Sequence, residues 1–129
     1  MSEDELPPLS DVQYEVMSVV WDHGPCSAAD VWKVLEARRG VSRNTVHTLL
    51  VRLEEKGWLK RSGQNNGVLF SAAVSRSTTQ KQCVRRLIDT VFDGSAEGLV
   101  LALLNQGTVS PAESARIRQL ISQAEGKKK

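Results

Sequence analysis

Long apolar runs are missing from this 129-residue chain. Its densest apolar stretch, Leu99 to Leu104, falls far short of the roughly 20 residues a bilayer-spanning helix needs, so no membrane segment is expected. Met1 to Leu9 is acidic and proline-bearing, unlike a secretory signal, and a cytoplasmic location is expected. Cysteine is scarce as well. Cys26 and Cys83 lie far apart in different predicted elements, giving neither a disulfide framework nor a Cys-x-x-Cys metal knuckle, and both are expected to be reduced thiols. There is no glycine-rich phosphate loop, no nucleophile elbow and no His-Glu helix motif, so nothing assigns catalytic roles to Cys26, Cys83, His23 and His47. An enzyme is not expected. His23 and Cys26, three apart, offer half a metal site where a structural site takes about four ligands. No metal and no cofactor are expected; a surface histidine and a buried cysteine are the alternative reading of this pair.

Charge is plentiful but uneven. Residues 1–40 carry three basic and eight acidic side chains, residues 41–90 nine and three, and residues 91–129 five and four. The net charge is only +2, with the basic excess in the middle segment. A local positive patch on a nearly neutral protein suits a phosphate-binding surface, although a charge run is also what a plain solvated face looks like.

That middle segment holds a capped amphipathic helix running into a hairpin. Ser42 is a good N-cap, and Val46, Leu49, Leu50 and Leu53 fall at i, i+3, i+4 and i+7, forming one buried stripe. Gly57 stands where a left-handed residue ends the helix. Outside the stripe lie Arg43, Asn44, His47, Thr48, Val51 and Arg52, most of them able to hydrogen-bond to a base edge or a phosphate. For the helix taken alone, this is either an ordinary polar outer face or the reading face of a DNA-recognition helix.

Its neighbours favour the second. Met1 to Pro8 is expected to be a disordered tail. A first helix over about 11–22 opens at Ser10 and buries Val12, Val16, Met17, Val19, Val20 and Trp21 before Gly24-Pro25 breaks it. After a short extended piece at Cys26, Ser27 caps a second helix over about 28–38 with Val31, Trp32 and Leu35 inward. The third helix follows after a few residues, a helix-turn-helix arrangement. Trp58–Ser62 and Val68–Ala72 read as two strands around the turn-forming loop Gly63–Gly67. Three helices and such a hairpin make a winged helix, with Lys60 and Arg61 as phosphate contacts at the wing base. The hairpin would also cover the core with Trp58, Leu59, Leu69 and Phe70.

From Ser75 the chain reads as helical. Val84, Leu87, Ile88 and Val91 share a face, Phe92–Ser95 makes a break, and a last helix begins at the capping box Ser110-Pro111-Ala112-Glu113. About fifty residues are too few for an independent core, so burying Val100, Leu101, Leu103 and Leu104 implies a second copy. The expected organisation is a tail over 1–8, a winged-helix domain over 9–74, a helical dimerisation domain over 75–125 and a basic tail over 126–129. The fold class is mainly α with a small β-hairpin wing. The expected DNA contacts are Ser42, Arg43, Asn44, Thr45, His47, Thr48, Arg52, Lys60, Arg61 and Asn66. The expected dimer interface is Leu87, Val91, Leu99, Val100, Leu103, Leu104, Ile117, Leu120 and Ile121. The alternative function is a protein-interaction module; that would call for an apolar or acidic outer face on the third helix, whereas this one is basic and hydrogen-bonding.

The segments Leu9 to Met17, Val41 to Gly57 and Phe92 to Ser95 resemble the penicillinase-repressor and methicillin-resistance-repressor family, which also includes copper-responsive repressors. The most specific part is the run from Ser42 through Thr45-Val46, Thr48-Leu49-Leu50 and Arg52-Leu53 to Lys56-Gly57. The resemblance implies a homodimeric bacterial repressor on double-stranded operator DNA, with an N-terminal winged helix and a C-terminal helical dimerisation domain. It also marks departures. The Asn-Phe bond cleaved in beta-lactam-responsive members aligns with Ala102-Leu103, and the C-terminal cysteine cluster of copper-responsive members has no counterpart after Cys83. Asn65 and Asn66 stand where many members have a basic wing residue, which implies a weaker grip on phosphate. The releasing partner, a protease or a small-molecule inducer, is left unidentified, as is any redox role of Cys26 or Cys83.

Overall fold

The computed structural model describes residues 6–63 and 67–127. The wing-tip residues 64–66, including the expected contact Asn66, lie outside the described residues, as do residues 1–5 and the last two residues of the basic tail. The chain forms two compact units, Met1–Cys83 and Val84–Lys129.

Three helices open the first unit: α1 Asp11–His23, α2 Ala28–Arg39 and α3 Arg43–Glu55. Each starts at a serine held in extended backbone, whose hydroxyl accepts an otherwise orphaned first-turn N–H. At α1 and α2 the bond is returned, from Ser10 N–H to Gln13 Oε1 at 2.9 Å and from Ser27 N–H to Asp30 Oδ2 at 3.1 Å. Helix α2 stops at Gly40, whose φ of 66° lets the chain turn sharply into α3. Strands β1 Leu59–Ser62 and β2 Leu69–Ala72 pair antiparallel, with Leu59 opposite Ala72 and Ser62 opposite Leu69. Cys26 joins the hairpin through an isolated antiparallel bridge to Phe70: its N–H donates to Phe70 O at 3.0 Å and its carbonyl accepts from Phe70 N–H at 2.8 Å. The extended piece between α1 and α2 thereby closes onto the hairpin and shuts one end of the core.

The core gathers Val16, Met17, Val19 and Val20 from α1, Val31 and Leu35 from α2, and Val46, Leu50 and Leu53 from α3, with Cys26, Trp58, Leu59 and Phe70. Each large apolar side chain buried here contributes about 1.5–3 kcal/mol relative to exposure. Indole N–H groups tie the junctions to this core. Trp21 Nε1 donates to Val74 O at 2.9 Å, Trp32 Nε1 to Val41 O at 3.1 Å, and Trp58 Nε1 to Pro7 O at 3.0 Å.

Three sequence expectations change. Residues 6–8 belong to the fold rather than to a disordered tail: Pro7 accepts from Trp58, Leu6 O accepts from Gln82 Nε2 at 2.7 Å, and the Leu6 side chain packs against the core. Leu69 does not cover the core; strand alternation buries Phe70 and turns Leu69 outward. Val12 lies at the margin of the α1 stripe, only half-buried. Helix α4, Arg76–Thr90, crosses the division between the units. Its first turns pack with the first unit through buried Thr79 and through Arg76, which binds Asp22 and Ser18 O on α1. The division therefore falls after Cys83, later than the change in sequence character at Ser75.

In the second unit, α4 ends at a turn where Asp93 and Gly94 take φ of 54° and 84°. Helices α5 Ala96–Asn105 and α6 Pro111–Lys127 follow, capped through Ser95 to Gly98 N–H and Ser110 to Glu113 N–H. Among its described residues no side chain is fully buried, and the apolar faces of α5 and α6 are largely exposed.

Candidate nucleic-acid interface

Helix α3 buries Val46, Leu50 and Leu53 completely and turns its other side to solvent. Arg43, Asn44, His47, Thr48 and Arg52 are all exposed on that side, spaced so that they line one stripe, with Val51 half-buried among them. The rigid base of this stripe is the capped first turn. Ser42 Oγ accepts from Thr45 N–H at 3.2 Å and sits 3.0 Å from Thr45 Oγ1. Ser42 and Thr45 therefore use their hydroxyls first to shape the helix start, which places them among the supports of the face.

Two of the cations are not free. The Arg43 guanidinium lies over the Trp32 ring of α2, 4.5 Å from its centroid. Arg61 on β1 grips Glu54 on α3 bidentately, Nη2 to Oε1 at 2.8 Å and Nε to Oε2 at 3.2 Å, and also lies over Phe70 at 5.4 Å. Lys60, across the ladder from Ser71, is exposed. The structure thus gathers Arg43, Asn44, His47, Thr48 and Arg52 on one helix face, and carries Lys60 and Arg61 on the adjoining strand. Trp32, Glu54 and Phe70 are contacts of these side chains that sequence reasoning missed. By periodicity Trp32 is only an inward apolar residue; its polar indole edge, two helical turns from the α2 cap glycine, is the available signal. The Glu54–Arg61 pair bridges a helix end and a strand, and no periodicity marks it.

His23 and Cys26 line a cleft of about 340 Å³ together with Asp30 and Lys33. Burial, aided by the Asp30 carboxylate, pushes the Cys26 thiol up. Among the described residues no group of three or more His, Cys, Asp and Glu side chains is placed to hold a metal.

The chain that carries this capped helix and hairpin matches the penicillinase repressor family over residues 9–123. The chain belongs to that family. It is 25% identical over 114 residues to the methicillin resistance regulatory protein MecI of Mammaliicoccus sciuri, covering 88% of this chain and 93% of that protein. It is also 25% identical to the penicillinase repressor of Bacillus licheniformis over 125 residues, 97% of this chain and 98% of that one. Among solved structures, the B. licheniformis BlaI monomer in complex with the blaP half-operator is similar at a TM-score of 0.51 and 30% identity. That match covers 57% of this chain and 89% of the BlaI chain. A mutant MarR from E. coli complexed with operator DNA matches at a TM-score of 0.52 and 21% identity, over 90% of this chain and 75% of MarR, a likeness of fold.

Proposed function

We propose that this protein represses transcription as a homodimer on a pseudo-palindromic operator, one α3 in the major groove of each half-site. Membership of the penicillinase repressor family makes it a DNA-binding repressor. The observation that carries the finer reading is the stripe of hydrogen-bonding side chains on a helix whose opposite side is fully buried. Arg43 suits guanine and Asn44 adenine, while His47, Thr48 and Arg52 extend the contact along the groove. Lys60 takes a phosphate from the wing base, Arg61 would do so once released from Glu54, and Asn66 would do so from the wing tip. A BlaI monomer binds a half-operator, and 30% identity over that region supports the same use of this one.

In this reading residues 75–125 bring two copies together through Leu87, Val91, Leu99, Val100, Leu103, Leu104, Ile117, Leu120 and Ile121. Most of these are exposed in the single chain, from 36% at Ile117 to 66% at Val91. Exposed apolar side chains gathered around one groove, as Val100, Leu103, Leu104, Ile117 and Ile121 are, suit an interaction site. In this reading a protease or a small molecule releases the repressor, and Ala102-Leu103 stands where the resemblance places the Asn-Phe bond of beta-lactam-responsive members.

Selection from random duplex DNA at near-physiological salt tests the proposal. The expected result is an enriched inverted repeat bound about 10³-fold or more tighter than a scrambled sequence. Weak, salt-sensitive binding without enrichment would instead favour an interaction module.

A further inference from the structure

The cavity at His23 and Cys26, the exposed Cys83 and the apolar groove on α5 and α6 give no ligand or partner beyond a second copy of the chain. The contact between α2 and the first residue of α3 goes further. Arg43 lies over the Trp32 ring at 4.5 Å, and among the described residues its guanidinium has no hydrogen-bond or ion-pair partner. The indole is itself fixed, because Nε1 donates to Val41 O two residues before Arg43. The backbone turn, the ring and the cation therefore form one small assembly: the ring anchors the turn from which Arg43 departs and then supports its head.

We propose that Trp32 is a positioning residue for base reading, holding the Arg43 guanidinium as a preformed fork for guanine. This rests on α3 being the DNA-reading helix. The chemistry follows from the shape of the group. A guanidinium attracted to a π face keeps its N–H donors at its edge, and two of them match the O6 and N7 acceptors that guanine shows in the major groove. An arginine at the first position of a helix would otherwise sample many rotamers, and ordering it on binding would weaken the contact. Trp32 removes part of that disorder before DNA arrives. It lies on α2 and touches the base only through Arg43.

The test compares full-length wild type, Arg43→Ala, Asn44→Ala, Trp32→Phe and Trp32→Leu on the selected operator and on versions with single base pairs exchanged. Arg43→Ala identifies the pair that Arg43 reads, by losing about tenfold or more of the preference there. Trp32→Leu should lose several-fold of the preference at that same pair and leave the pair read by Asn44 unaffected. Trp32→Phe, which keeps a ring but not the N–H donor, should retain the preference even if its melting temperature falls. The Arg43 Nε–H resonance of free wild type and Trp32→Phe should be displaced by the ring current, and that displacement should be gone in Trp32→Leu. Three results would overturn the proposal: a Trp32→Leu protein that reads the Arg43 pair as well as wild type or better, one that loses preference equally at every pair, or an Arg43 resonance without displacement in wild type. The last decides even if Trp32→Leu does not fold. Failure of the α3 reading is distinguishable, because Asn44→Ala and Arg43→Ala would then change no preference at all.

Discussion

Glu54 near the end of α3 and Arg61 on β1 form a bidentate pair, with Arg61 Nη2 2.8 Å from Oε1 and Nε 3.2 Å from Oε2 of Glu54. Seven residues apart and separated by the turn at Gly57, they join α3 to the base of the hairpin. The pair is about two-fifths exposed on the arginine side, so its contribution to stability is small, about 0.2–1 kcal/mol. In the proposed function its larger effect is electrostatic, since a carboxylate that neutralises Arg61 withholds one cation from phosphate.

Glu54→Gln should therefore tighten binding to operator and scrambled DNA by similar factors. The slope of log affinity against log salt should steepen by about one unit as Arg61 becomes available to a phosphate. An unchanged slope would mean that Arg61 does not reach DNA and serves only to brace the wing.

Asn44 and Lys60 should separate specificity from general affinity. Asn44→Ala should cost about 1–3 kcal/mol on the operator and relax the preference at one position, since bidentate contacts to a base edge carry discrimination of that size. Lys60→Ala should weaken all sequences alike and reduce the salt slope by about one unit. Titrations at several salt concentrations on operator and scrambled duplexes read both effects; equal losses from the two variants would dissolve the distinction.

Acid should loosen the first unit through two aspartates. Ser27 backbone and side-chain hydrogen bonds hold the Asp30 carboxyl below its ordinary value, and the Arg76 guanidinium does the same for Asp22. A depressed folded value means stability that is present above the unfolded value of about 3.9 and lost as pH falls through the folded one. Asp30→Asn should lower the melting temperature at neutral pH and flatten its fall below about pH 4. A curve parallel to wild type through that range would show that the α2 capping box carries no pH-dependent stability.

Much of this fold is legible because local signals agree. Ser10, Ser27 and Ser42 each precede an apolar stripe of helical period, and each caps a helix where expected. The face of α3 is legible for the same reason, since the period that buries Val46, Leu50 and Leu53 forces Asn44, His47 and Thr48 outward. What is not legible depends on contacts between residues distant in sequence. The acidic, proline-bearing start looks like a tail, yet Pro7 and Leu6 are held by Trp58 and Gln82, 51 and 76 positions away. Leu69 looks like core until the register with Ser62 fixes which neighbour points inward. The occupation of Arg43 by Trp32 and of Arg61 by Glu54 likewise arises only once the elements pack.

The second unit yields the sharpest test of assembly. Leu104 and Leu120 are 53% and 58% exposed, and no described residue of this unit is fully buried. Helices with such faces gain little stability from propensity alone, so their order depends on a second surface against which to bury them. Leu120→Asp should accordingly convert a dimer to a monomer in sedimentation velocity while leaving the first unit folded, its core lying in α1–α3 and the hairpin. Binding to a single half-site should persist, and the added affinity of the complete operator, which comes from tethering two reading helices, should be lost. Leu50→Ala should behave oppositely: it removes a fully buried side chain of the first core and should cost about 2–5 kcal/mol in denaturant unfolding of that unit. A Leu120→Asp protein that sediments as a dimer would move the interface away from the exposed face of α6.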